Sequence, residues 1–72
     1  MEEPIKYGFI KSTADYALCK VINSRSRHYN KYVVLKCTLK RVNHWDPISN
    51  YYRERYTADS IYRRLIDGSK NL

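Results

Sequence analysis

Apolar residues recur along this chain with two different periods. In KYVVLKCTLKRV, residues 31–42, they alternate. Val33, Leu35, Cys37 and Leu39 fall on one side of an extended backbone, and Tyr32, Val34, Lys36, Thr38 and Lys40 on the other. A period of two is the mark of a strand. The lysines on the second side predict a sheet covered on one face only. In residues 13–23 the spacing changes. Ala14, Ala17, Leu18, Val21 and Ile22 lie at i, i+3, i+4, i+7 and i+8, one stripe of an α-helix. Ser12-Thr-Ala-Asp15 has the form of a helix start, with a hydroxyl accepting from free backbone N–H groups. The spacing predicts a helix over 13–23. The β-branched pair Val21-Ile22 leaves a strand over 17–23 as the alternative.

The rest of the chain follows from local signals. IKYGFI (5–10) predicts a short strand, and the polar SRSRHYN (24–30) a loop. NHWDPI (43–48) predicts a turn, since Pro47 biases Asp46 away from helix. Residues 49–57 predict a strand with Tyr52, Glu54 and Tyr56 on one side and Tyr51, Arg53 and Arg55 on the other. ADSIYRRLIDG (58–68) predicts a helix. Ile61, Tyr62, Leu65 and Ile66 form its stripe, Asp59 suits the dipole and sits four residues before Arg63, and Gly68 suits the position after the last turn. The expected order is β-α-β-β-α. It makes a small single α+β domain over 1–72, with a central antiparallel sheet, two helices on one face, and fraying at 1–4 and 69–72. TADYALCKVINS (13–24) and TADSIYRRLIDG (57–68) echo one another, but similar cap chemistry produces such starts independently.

Length and charge narrow the function. Seventy-two residues make one domain. A chain of this size buries only roughly 60% of its unfolded surface, so it works by presenting a surface rather than a deep catalytic cleft. Fourteen Lys+Arg against seven Asp+Glu give a net charge of +7. No acid lies between Asp15 and Asp46, an interval holding Lys20, Arg25, Arg27, Lys31, Lys36, Lys40 and Arg41. Such a field attracts polyanions. The start, MEEPIKYGFIKS, lacks the form of a secretory signal, and no apolar run approaches the ~20 residues of a membrane helix. The chain reads as a soluble cytoplasmic protein whose Cys19 and Cys37, set among apolar neighbours, are free buried thiols.

Candidate chemistry is thin. Cys19, His28, Cys37 and His44 lack the short paired spacings of zinc modules. Cysteines that read as buried make poor nucleophiles beside His28 or His44. His44-Trp45-Asp46 in a turn reads as a packed tryptophan with polar flanks. Gly8 and Gly68 stand alone, so there is no phosphate loop. The expectation is a non-enzyme without cofactor or metal. The element order is similar to that of double-stranded-RNA-binding domains. Those open their final helix with a lysine cluster, where this chain has TADS with Arg63 and Arg64 a turn later, and no family is assigned.

The segment YYRERY (51–56) is the sharpest functional signal. With Val33, Leu35, Cys37 and Leu39 facing the core, Tyr52 and Tyr56 match them. Tyr51, Arg53 and Arg55 then join Tyr32, Lys36 and Lys40 on an open face that can stack on bases and pair with phosphates. The loop residues Arg25, Arg27 and Lys31 extend that surface, and phosphorylation of Ser26 would cut its charge. The expected function is a small basic nucleic-acid-binding protein, monomeric and away from membranes. The alternative is a regulator or inhibitor, of the kind phages encode, docking on an acidic protein surface through Trp45, Tyr51, Arg63 and Arg64.

Overall fold

Two adjacent strands are buried on both sides, and that decides the architecture. The computed structural model describes residues 5–70. The termini at 1–4 and 71–72, where fraying is expected, lie outside the described residues. Strands β1 (Tyr7–Ser12), β2 (Tyr16–Val21), β3 (Tyr32–Leu39) and β4 (His44–Pro47) form one antiparallel meander in chain order, followed by helix α1 (Arg55–Lys70). The fold is α+β with one helix on a four-stranded sheet, among the described residues, in place of the expected two helices and β-α-β-β-α order.

The expected first helix is β2. Ala17, Leu18 and Cys19 are all fully buried, as are Val33, Val34 and Leu35 opposite them on β3. A strand covered on both faces reads as a continuous apolar run, which periodicity alone does not separate from a helix. The hydroxyl expected to cap that helix makes the same kind of bond in a hairpin turn. Thr13 Oγ1 accepts from the backbone N–H groups of Asp15 (3.4 Å) and Tyr16 (3.1 Å), and Thr13 N–H donates to Tyr16 O at 2.7 Å. The second TAD lies inside α1, so the echo joins two different structures. The likeness to double-stranded-RNA-binding domains ends here, since it needs a helix over 13–23.

Residues 44–47, expected as a turn, are the edge strand β4. Pro47 fits there because an edge leaves its missing N–H without consequence. The reversal falls earlier, in a 3-10 turn over Lys40–Val42 closed by Asn43 in the left-handed region (φ 52°). The strand expected over 49–57 is a single bridge. Tyr52 and Tyr32 exchange backbone bonds of 2.7 and 2.8 Å, and by Arg55 the chain is helical. The helix runs on through Gly68.

The helix packs on the face opposite to the expected one. Ala58 and Tyr62 meet Leu18 and Val34, with Ile10, Ile61, Leu65 and Ile66 around them. Ala58 is fully buried, and its small side chain allows close approach. Lys11 Nζ and Arg63 Nε both donate to the Asp59 carboxylate, at 3.2 and 3.1 Å, tying α1 to β1.

Candidate nucleic-acid interface

The face without the helix is roofed by aromatic rings. Ala17, Cys19, Val33 and Leu35 form its floor, and Tyr7, Trp45 and Tyr51 pack on them. Phe9 on β1 and Trp45 on β4 stand on opposite edge strands, yet their rings meet edge to face at 5.3 Å. Phe9 lies opposite Cys19 and Trp45 opposite Cys37, so the positions directly inward of both rings carry small side chains. Trp45 Nε1 donates to Asn43 Oδ1 at 2.8 Å, which fixes the indole over its strand. The Tyr7 and Tyr51 hydroxyls bond at 3.0 Å. Burial and this bond push the Tyr7 phenol well above its usual range. Below them, burial pushes the Cys19 thiol up to about 12. Cys19 and Cys37 are free and buried, as their apolar neighbours suggest.

The roof leads to a basic cleft. Tyr51 stacks on His28, with centroids 3.9 Å apart and planes 11° from parallel. His28 Nδ1 is buried without a hydrogen-bond partner among the described residues. The neighbours of His28 line an open cleft of about 400 Å³ formed by Arg27, Tyr29, Asn30, Lys31 and Arg53. The loop is folded so that this happens. His28 N–H donates to Ser26 Oγ at 3.1 Å, and Asn30 adopts a left-handed conformation (φ 68°) that its side chain tolerates. Residues 31 and 21 then pair backbone to backbone, closing the loop over the end of β2 and β3. Arg53 arrives from the bend that follows the Tyr52 bridge.

The structure divides the residues singled out from sequence. Arg27, Lys31 and Arg53 meet in the cleft, and Tyr51 joins it to the roof. Arg25 is an exposed loop residue that does not line the cleft. Tyr32 faces α1 and is covered by Lys20, whose Nζ stands 5.8 Å over its ring. Lys36 shares that face of β3 and lies opposite Asp46. Lys40 sits in the 3-10 turn, where the Asp15 carboxylate at 3.0 Å raises its pKa. Arg55 opens α1, and Tyr56, expected in the core, is 81% exposed. The open face expected from strand alternation is therefore not formed as one surface. Helix α1 covers its Tyr32–Val34 end, because Val34 and Leu18 supply the apolar seat the helix requires, while Lys36 and Thr38 stay exposed. The alternative surface also separates, with Trp45 and Tyr51 on the roof and Arg63 and Arg64 on α1. Sequence reasoning misses Tyr7, Phe9, His28 and Tyr29. The signal for the first two is the alternation Tyr7-Gly-Phe9 in a recognisable strand.

Among the described residues, no helix is long and apolar enough to cross a membrane, and no group of His, Cys, Asp or Glu is gathered to hold a metal ion. By architecture the chain belongs to the class of antiparallel sheets carrying one helix and an aromatic opposite face. Comparison with protein families, with curated proteins and with solved structures gives no match.

Proposed function

We propose that this is a small, basic, non-catalytic nucleic-acid-binding protein of the cytoplasm, acting as a monomer through the cleft of Arg27, Lys31 and Arg53. One observation carries the reading. Cations from two stretches more than twenty residues apart converge on one open cleft beside an exposed tyrosine. Arginine forks and a lysine ammonium there are suited to phosphate oxygens. Among the described residues neither Lys31 nor Arg53 is paired with a carboxylate. The +7 net charge adds a long-range attraction that brings polyanions to the cleft.

The test is fluorescence anisotropy of labelled oligonucleotides against the protein across a salt series. Three backbone contacts predict a slope of about −2 in log K against log salt for a single strand, so affinity falls roughly twentyfold between 50 and 200 mM. The double variant Lys31→Ala/Arg53→Ala should bind weakly and bring the slope to about −0.7. Unchanged affinity in a folded double variant refutes the cleft as the binding site.

A further inference from the structure

We propose that the nucleic acid taken is single-stranded, with its bases stacked on the roof around Phe9 and Trp45 while its phosphates occupy the cleft. This rests on the polyanion reading above and names its ligand.

The chemistry of the roof points to bases. The strand positions that pair across that face are uncharged: Tyr7, Phe9 and Ser12 on β1, Ala17, Cys19 and Val21 on β2, Val33, Leu35 and Cys37 on β3, and Trp45 and Pro47 on β4. Phe9 is 49% exposed, and the edge of one ring against the other holds the Phe9–Trp45 pair in place. Fixed, half-open rings are stacking platforms for bases, whose π-faces are all equivalent for this purpose. The roof is continuous with the cleft through Tyr7, Tyr51 and His28. Apolar rings beside clustered cations are complementary to an unpaired strand, which offers bases and phosphates side by side. A duplex shows only base edges in its grooves and keeps the π-faces stacked on one another, so rings on a sheet face cannot stack on them without unstacking a step. A second copy of this chain would bring two +7 molecules together cleft beside cleft.

The experiment titrates the full chain with three probes: a twelve-residue oligothymidylate, a twelve-base-pair duplex and inorganic polyphosphate of matched charge. Trp45 is the only tryptophan, so its emission reports on the roof directly. The expected result is quenching by oligothymidylate alone and tightest binding of that probe. Phe9→Ala should lose about tenfold for oligothymidylate and nothing for polyphosphate. Phe9→Tyr should keep the affinity. If Phe9→Ala unfolds, Phe9→Leu, which keeps apolar volume without a π-face, should show the same loss. Equal binding of oligothymidylate and polyphosphate, silent Trp45 emission, or a preference for duplex overturns the stacking proposal and leaves the polyanion reading standing. Failure of all three probes to bind overturns that reading, and this proposal with it.

Discussion

Raise the pH from 8 to 10, and the first group to oppose folding is Cys19. Its thiol lies fully buried under the roof, and burial moves its pKa from 9.0 to about 12. In the unfolded chain the thiol ionises near 9, while the folded chain keeps its proton. Above pH 9 the unfolded state therefore binds fewer protons, and stability falls as pH rises. The contribution of Cys19 is complete below pH 9 and lost by about pH 12. Holding the thiol protonated across that whole window is equivalent to about 4 kcal/mol, of which about 1 kcal/mol goes between pH 9 and 10. A 72-residue domain has a total stability on the order of 4–11 kcal/mol, so the effect is measurable early.

The other groups whose pKa folding raises, Tyr7, Tyr62 and Lys40, have ordinary values of 10.0 or above, so they act later in the same direction. The assay is urea unfolding followed by far-ultraviolet circular dichroism at pH 8, 9 and 10, with reductant present. Cys19 should account for about 1 kcal/mol of the wild-type loss between pH 9 and 10, with Tyr7 and Tyr62 adding smaller amounts. Cys19→Ala, which removes one sulfur from the core, should be less stable at pH 8 but lose about 1 kcal/mol less than wild type between pH 9 and 10. A Cys19→Ala protein with the wild-type pH slope refutes the reasoning.

Two further predictions test the packing. Leu18→Ala empties a fully buried site under α1 and should cost about 2–5 kcal/mol, whereas Leu39→Ala, at a side chain 59% exposed, should change stability by less than about 0.5 kcal/mol; urea midpoints separate them. Gly8→Ala would place a Cβ 2.9 Å from Ile22 Cγ2, a methyl on the branched Cβ of a side chain stiff at χ1, so Ile22 must change rotamer or the strands must shift, and a loss of about 1 kcal/mol, or roughly 4–8 °C in thermal midpoint, is expected.

What the sequence made legible was whatever one element determines alone. The alternation in 31–42 marks β3, the stripe ending in Leu65 and Ile66 marks α1, the polar run 24–30 is the loop, and the Asp59–Arg63 pair spans one turn. The failures arise where a second element decides. Ala17-Leu18-Cys19 reads as helix or buried strand according to how many faces are covered, and only the assembled sheet supplies that. His44–Pro47 is a strand because Cys37 and Leu35 pair with Trp45 and Pro47, which its turn-forming residues do not announce. The facing of β3 is hidden for the same reason. Val33 and Val34 are equally buried, so alternation names two faces without saying which one the helix takes.

The tyrosines of YYRERY show why site and fold are inseparable in a chain this small. Tyr51 roofs one face, Tyr52 pairs with Tyr32 and packs under the helix, and Tyr56 is exposed, although all three belong to one repeating pattern. The backbone changes from extended to helical between Tyr52 and Arg55, and that change is what delivers Arg53 to the cleft. With one α-helix among the described residues, the second face must be closed by side chains from the strands and their connections. Rings do this best, since each covers a large area with few rotatable bonds. A roof one ring thick buries its inner face and leaves its outer face in water. The same rings that hold Ala17, Cys19 and Val33 out of solvent are therefore the ones able to meet a base. On the proposed function, stability and recognition would be coupled at Trp45 and Tyr51, which pack on the core, and separable at Lys31 and Arg53, which line the cleft.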